Sequence, residues 1–157
     1  MTRSRTLFLL GLLTASGALR AGEPAFLSDL AAAKTLAAKE HRQLVIEFSG
    51  RTWCPPCKAL RAEVIPSPEF AAFAQTRVLV HLDYPRKSER TPEKIAADPA
   101  LARLMAAKDA FKIEGFPTVV LLDAQGRELG RVLGYEPGQG AAEYLKQLTS
   151  GNPSPPP

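Results

Sequence analysis

Apolar positions along the chain follow two different spacings, and these predict alternating helices and strands. Leucines and alanines at helical spacing predict a first helix over residues 28–40, with Ser28 as its cap. Runs of apolar and β-branched residues predict four strands. These strands lie at 43–48, 78–84, 118–122 and 128–133.

Capping residues, prolines and helical apolar spacing predict four more helices. They begin at Cys54, Ser67, Asp98 and Glu136, and the first of them ends before Pro66. The polar segment 85–97 is predicted to be a surface loop, and residues 123–126 are predicted to form a hairpin turn.

This order of elements predicts an α/β sheet with helices on both faces. Helices separate the first three strands, which predicts right-handed crossover connections between them. The last two strands are joined by a short turn and form a hairpin, so the four-stranded sheet is expected to be mixed. A length of 157 residues, 45% of them apolar, suits a single packed domain.

The two ends of the chain differ in composition from the part between them. Residues 1–21 have a basic start, an apolar stretch at 7–13 and small residues near the end, which predicts a secretory signal peptide. The apolar stretch is shorter than the roughly 20 residues that a membrane span needs. The alternative is an uncleaved anchor or a buried helix. Residues 22–149 are assigned to the folded domain and the proline-rich residues 150–157 to a disordered tail.

The formal charge of +4 comes mostly from the N-terminal segment. Three arginines lie within the first 21 residues, which contain no acidic residue, so the remaining chain has 17 basic and 16 acidic residues. No basic stripe with interleaved aromatic residues remains. A nucleic-acid partner is therefore not expected.

The only two cysteines, Cys54 and Cys57, lie in the segment Trp-Cys-Pro-Pro-Cys-Lys, directly after the first predicted strand. A helix start stabilises a thiolate, so Cys54 is predicted to be the attacking thiol and Cys57 the resolving thiol. A purely structural bridge would close too short a loop to add much stability. Zinc needs four ligands, and the other soft ligands, His41 and His81, lie on separate elements and are expected to be incidental.

This cysteine pair after the first strand, together with Gly-Phe-Pro-Thr at 115–118 before the third, resembles the thioredoxin family. The resemblance covers about residues 27–149. The segments at 48–54, 65–70 and 82–85 are similar to an exported bacterial branch related to the thiol domains of periplasmic disulfide reductases. The resemblance implies the thioredoxin fold and an enzyme that cycles between a disulfide and a dithiol without a cofactor.

The chain departs from ordinary thioredoxin in three ways. The dipeptide between the cysteines is Pro-Pro rather than Gly-Pro, one extra residue separates Glu47 from Cys54, and the loop at 85–97 is longer. Pro55 and Pro56 fix the backbone at the helix start and remove amide donors, which leaves the direction of the change in redox potential open.

The resemblance also implies roles for residues around the cysteines. Glu47 would take the proton of the resolving thiol from a buried position in the first strand, unless its side chain points outward. Pro117 would follow a cis rather than a trans peptide bond where a neighbouring edge strand begins, and the Phe116 backbone would pair with an extended substrate segment. Trp53 would shield the thiol and contact substrate, or pack in the core.

The sequence therefore predicts a secreted, periplasmic and monomeric thiol–disulfide oxidoreductase. Its partners would be proteins bearing disulfides or thiols, and a recharging redox partner that is membrane-bound by analogy with the family. Two alternatives stay open: a chaperone that binds a soft metal such as Cu(I) through both thiols, and an interaction module whose cysteines do no chemistry. The direction of electron transfer and the physiological substrate are also left open.

Overall fold

The computed structural model describes residues 24–50 and 52–151. The predicted signal peptide and residues 152–157 of the predicted tail lie outside the described residues. The helices are α1 (Leu30–Lys39), α2 (Pro55–Glu63), α3 (Pro68–Ala74), α4 (Pro92–Ala97), α5 (Pro99–Ala110) and α6 (Ala141–Thr149). The strands are β1 (Gln43–Ser49), β2 (Arg77–Asp83), β3 (Thr118–Leu122) and β4 (Glu128–Leu133). Across the described chain, no helix combines the length and apolar character that crossing a bilayer requires.

The four strands form one mixed sheet, as predicted, and their order in it is β2-β1-β3-β4. β1 runs parallel to β2, whereas β3 is antiparallel to both β1 and β4. The crossover predicted between β2 and β3 is therefore wrong, and β3 is an inner strand rather than an edge strand. After α5, residues 111–117 carry the chain back to the end of the sheet where Thr118 pairs with Phe48, so β3 enters in the opposite direction.

Helices cover both faces of the sheet, because the side chains of β1 point alternately to opposite sides. Val45 and Glu47 face α2, α3 and α6, while Ile46 and Phe48 face α1 and α5. The buried partners on the first side include Leu60, Val64, Phe70, Tyr144 and Leu148. Those on the second side include Ala33, Ala37, Val80 and Val120, with Leu104 and Met105 of α5 packed against them. The two cores hold the sheet between two layers of helices.

The segment predicted as the surface loop 85–97 contains regular structure. It forms a short 3₁₀ turn, Lys87–Glu89, followed by α4. The side chain of Thr91 caps α4 by accepting the amide of Lys94, and Pro92 occupies the first helical position. The same cap-and-proline signal predicted other helices in this chain, but here the surrounding polar residues obscured it.

The last helix begins at Ala141 rather than at Glu136. Glu63 at the end of α2 accepts hydrogen bonds of 2.7 Å from the Tyr135 hydroxyl and the Gly138 amide. The Tyr135 bond, and after it the Gly138 bond, holds the pKa of Glu63 below its ordinary value. This long-range anchoring keeps the intervening residues in a turn and delays the start of α6.

The residues before α1 cover part of the exposed edge of β2. The amide of Leu27 donates to the Leu79 carbonyl, and the amide of His81 donates to the Leu27 carbonyl, both at 2.9 Å. These two hydrogen bonds position the neighbouring Phe26 over the sheet. Its ring lies parallel to that of Phe70 of α3, with 6.2 Å between the ring centroids.

Gly130 of β4 provides a test of the packing between β4 and α6. A Cβ at this position would collide with the carbonyl oxygen of Leu148, and a backbone atom cannot rotate aside. Because overpacking costs about 1–3 kcal/mol, we expect Gly130→Ala to lower the free energy of unfolding in urea by about 2 kcal/mol. Leu129→Ala, at the more exposed neighbouring position, should cost less than about 1 kcal/mol. Equal losses would contradict this account of the packing.

Candidate active site

The chain leaves β1 at Ser49, turns at Gly50 and enters α2, which places both cysteines at the helix start. Cys54 is the N-cap of α2, and its sulfur accepts the Cys57 amide at 3.4 Å. The two cysteines form a disulfide. Cys57 is fully buried and Cys54 retains 4% exposure, so Cys54 is the more accessible of the two residues.

Two prolines reduce the number of amide donors around Cys54. Pro55 and Pro56 occupy the first two positions of α2, and neither has an amide hydrogen. An N-cap side chain ordinarily accepts from the second or third helical residue. Here only the third, Cys57, can donate. A thiolate on Cys54 would therefore have one such backbone donor instead of two.

The turn into β3 forms the opposite wall of the site. The Phe116–Pro117 peptide bond is cis, as predicted. The Phe116 carbonyl oxygen lies 3.6 Å from the Cys54 sulfur, although 62 residues separate them. The Gly134 amide donates to the Pro117 carbonyl at 2.7 Å and ties this turn to the end of β4. Within the described chain, the Phe116 amide and carbonyl form no backbone hydrogen bond.

Three aromatic side chains, Trp53, Tyr84 and Phe116, pack against one another next to the cysteine-bearing turn. The Trp53 indole donates to the Tyr84 carbonyl at 2.8 Å, and its ring meets Phe116 edge-on at 6.0 Å between centroids. Tyr84 stacks on Phe116 at 4.9 Å. Gly50 is needed here, because a Cβ would overlap the Trp53 indole. Trp53 is only half-buried, so it both packs against its neighbours and borders the site.

Two arginines from the segment after β2 lie near these rings. The Cζ atom of Arg86 is 6.0 Å from the Trp53 ring centroid, and that of Arg90 is 5.8 Å from the Phe116 centroid. No part in the site was predicted for this segment from its sequence. The available signal was its charge, because Lys and Arg occupy four of the ten positions 85–94. Only the fold could place those charges above the aromatic residues.

Glu47 points inward and is 2% exposed, which rules out the outward orientation. Its Oε2 accepts a hydrogen bond from Nη1 of Arg61 and is paired with Nδ1 of His81, both at 2.9 Å. Its Oε1 has no hydrogen-bond partner in the described chain. No hydrogen bond joins either oxygen directly to a cysteine sulfur of the described site.

The expectation that both histidines are incidental is wrong for His81. His81 lies opposite Glu47 in the parallel register of β1 and β2 and pairs with its carboxylate. Both residues interrupt an otherwise apolar strand, and this shared interruption was the sequence signal that could have linked them. Arg61 carried no such signal, since an arginine on a helix is usually solvated. His41 is exposed at the end of α1.

Aromatic side chains flank the cluster formed by Glu47, Arg61 and His81. The Phe26 ring meets His81 edge-on at 6.4 Å, and the Arg61 Cζ lies 5.4 Å from the Phe26 centroid. Tyr144 is buried on the same side, and its hydroxyl has no partner in the described chain. Burial, and after it the negative charge of Glu47, raises the pKa of Tyr144.

The described residues contain no group of three or more His, Cys, Asp or Glu side chains placed to hold a metal ion. The histidines thus do not complete a zinc site with the cysteines. Two sulfurs alone would suit a soft ion of low coordination number.

The similarity to known proteins agrees with this geometry. A family model described as a thioredoxin-like domain matches residues 30–149. The disulfide bond reductase DsbH of Chlamydia pneumoniae is 33% identical over 113 residues, which make up 71% of this chain and 63% of that protein. The thioredoxin-related protein DsbJ of the same organism is 33% identical over 112 residues, 69% of this chain and 30% of that protein. The chain thus spans less than two thirds of the length of either relative.

A solved structure of a DsbH oxidoreductase superimposes with a TM-score of 0.69 at 28% sequence identity. The match covers 91% of this chain and 94% of that one. Because the family model covers nearly all of the described sheet and helices, the chain belongs to the thioredoxin-like family.

Proposed function

We propose that the protein is a thiol–disulfide oxidoreductase that reduces disulfides of protein substrates. The observation that carries this proposal is the Cys54–Cys57 disulfide at the start of α2, with the Phe116 carbonyl 3.6 Å from the Cys54 sulfur. It places an exchangeable sulfur beside unpaired backbone that can hold a substrate. Similarity to a protein named as a disulfide bond reductase supports the reductive direction.

The reaction begins with the cysteines in the dithiol form. The Cys54 thiolate attacks one sulfur of the substrate disulfide, which forms a mixed disulfide and releases the first substrate thiolate. The Cys57 thiolate then attacks the Cys54 sulfur, which closes the Cys54–Cys57 disulfide and releases the second. Two electrons pass to the substrate, and each departing thiolate takes up a proton. A reduced dithiol partner must then restore the starting state.

The Phe116 and Pro117 turn would orient the substrate. An extended segment next to the attacked disulfide can pair with the free amide and carbonyl of Phe116, in the manner of an added strand. Trp53 and Phe116 supply apolar surface on either side of the sulfur. This arrangement favours unfolded or exposed segments over buried disulfides.

Glu47 would accept the proton of the Cys57 thiol. Arg61 and His81 both engage Oε2, which leaves Oε1 as the oxygen able to take a proton. Since neither oxygen is bonded to a sulfur, the transfer needs a bridging water or a small movement of α2 in the dithiol form.

The proline at the second helical position, Pro56, supports a reducing role. A missing amide donor leaves the Cys54 thiolate less stabilised, and a less stable reduced form gives a more reducing couple. We propose that residues 1–21 direct export of the protein to the periplasm. There it would act as a monomer, and a membrane-bound dithiol partner would reduce its disulfide again. An oxidising compartment suits a dedicated reductase, because disulfides form there and must be corrected.

The separate roles of the attacking and the resolving cysteine can be tested by trapping the mixed disulfide with a substrate. We expect Cys57→Ser to accumulate mixed disulfides with a disulfide-bearing protein, because it attacks but cannot resolve, whereas Cys54→Ser should accumulate none. Non-reducing electrophoresis and mass spectrometry measure the amount of mixed disulfide formed by each variant. The double Cys→Ser variant is the control. In an insulin-reduction assay in which dithiothreitol regenerates the dithiol form of the protein, this variant should show no activity. Full activity in that variant would refute a catalytic function.

Glu47→Gln tests the proton acceptor. Glutamine keeps the shape but cannot take a proton, so resolution of the mixed disulfide should slow at least about tenfold near pH 7, with little change in reduction potential. Stopped-flow fluorescence of Trp53 and equilibration with glutathione measure the two quantities. Tyr144→Phe removes a neighbouring hydroxyl and should leave the rate within about twofold. Unchanged rates in Glu47→Gln across pH 6–8 would remove Glu47 from the mechanism.

The role of the prolines is tested by a matched pair of variants. Pro56→Ala restores an amide at the second helical position, within reach of the Cys54 sulfur, whereas Pro55→Ala restores one at the first position, which is out of reach. A hydrogen bond to a charged group contributes about 1.5–3 kcal/mol, so alkylation of Cys54 near pH 6 should be about tenfold faster in Pro56→Ala alone. The couple should also become more oxidising in that variant. Equal changes in both variants would point to backbone flexibility instead.

A further inference from the structure

The 85–91 segment places two positive charges over the proposed substrate groove. Arg86 and Arg90 lie 6.0 and 5.8 Å from the ring centroids of Trp53 and Phe116 respectively. Trp53 directly precedes Cys54 in the chain, and the carbonyl oxygen of Phe116 lies 3.6 Å from the Cys54 sulfur. A substrate segment whose sulfur reaches Cys54 therefore comes close to the two residues whose rings lie near these guanidinium groups.

From this placement we propose that Arg86 and Arg90 form a cationic rim that selects substrate segments with acidic side chains next to their disulfide. The inference rests on the proposed function and adds the chemical class of the substrate. The occupant is an extended acidic peptide segment.

Neither arginine forms a salt bridge with a carboxylate of the described chain, so both charges are available. The acid within the 3₁₀ turn is already engaged, since Glu89 accepts the Arg86 backbone amide at 3.0 Å. Nε of Arg90 is buried without a hydrogen-bond partner in the described chain. The Arg90 guanidinium thus keeps one unpaired N–H donor in the described chain while lying 5.8 Å from the Phe116 ring centroid.

Hydrogen bonds hold this segment in one conformation. The Glu89 amide donates to the Arg86 carbonyl at 2.9 Å, and the Arg90 amide donates to the Lys87 carbonyl at 3.1 Å. The two arginines are therefore presented from an ordered turn, which lowers the entropy lost when a substrate binds.

The chemistry of arginine fits a carboxylate in this position. A guanidinium group near an aromatic face retains N–H donors at its edge, and these donors match the two oxygens of a carboxylate. Exposed charges also steer an oppositely charged partner during encounter, and added salt weakens that steering. The rim should thus act mainly on the rate of mixed-disulfide formation, with a clear dependence on ionic strength.

The test uses three disulfide-linked peptides that differ only in the residues flanking each cysteine, which are Asp, Ser or Lys. The kcat/KM for reduction is measured with the dithiol form of the protein at about 20 mM and about 300 mM salt. We expect the Asp peptide to exceed the Lys peptide by about three- to tenfold at low salt, and this ratio should fall at high salt.

Variants locate the effect. In Arg86→Gln/Arg90→Gln the ratio should fall close to one, whereas Arg86→Lys/Arg90→Lys keeps the charges and should retain part of the ratio. Lys87→Gln is the matched control, since it removes one charge from the same turn at a residue with no aromatic contact within the described chain, and it should keep the ratio of the unmodified protein.

The outcomes separate the two proposals. Reduction of all three peptides at equal rates would overturn the cationic rim and leave the proposed function standing. A ratio that survives in Arg86→Gln/Arg90→Gln, or that falls equally in Lys87→Gln, would also overturn the rim, because overall charge would then explain the preference. Failure to reduce any peptide would overturn the proposed function and the rim together.

Discussion

The inner position of β1 is the constraint on which the rest of the site depends. β1 is hydrogen-bonded on both sides, parallel to β2 and antiparallel to β3. Its C-terminal end therefore lies next to the C-terminal end of β2 and the N-terminal end of β3, at the same end of the sheet. The cysteines follow β1, the arginine-bearing turn follows β2, and the cis proline precedes β3. Three distant segments are thus brought together by one pattern of strand pairing.

The same register explains the buried ionic cluster behind the disulfide. Glu47 and His81 are paired positions of β1 and β2, and Arg61 reaches them from α2, the helix that carries the cysteines. Removing Arg61 would leave the buried Glu47 carboxylate without its cationic partner, and breaking a buried pair in this way costs about 3–5 kcal/mol. The cluster therefore couples the position of α2 to the sheet, and a carboxylate with one free oxygen lies on the cysteine-bearing side.

Tertiary contacts also decided where several elements begin. The start of α6 is delayed because Glu63 holds Tyr135 and the Gly138 amide in a turn. The direction of β3 depends on how residues 111–117 return to the Cys54 end of the sheet. Local periodicity contains neither kind of information, since a helical spacing reports only which face of a segment is buried. These are the places where prediction from the pattern was wrong.

The α/β class, the mixed sheet and the two cysteines at a helix start were predicted from the residues, and the resemblance of the chain's motifs to the thioredoxin family implied the cis bond before Pro117. These follow from local patterns: apolar spacing, capping residues, prolines and two short motifs. Three features became visible only in the folded protein. β3 is an inner antiparallel strand, and Glu47 is held by His81 and Arg61. Arg86 and Arg90 lie beside the rings of Trp53 and Phe116 respectively. Each of these features depends on contacts between residues far apart in the chain. The strand register and the positions of the helices determine those contacts, and both are established when the two cores pack.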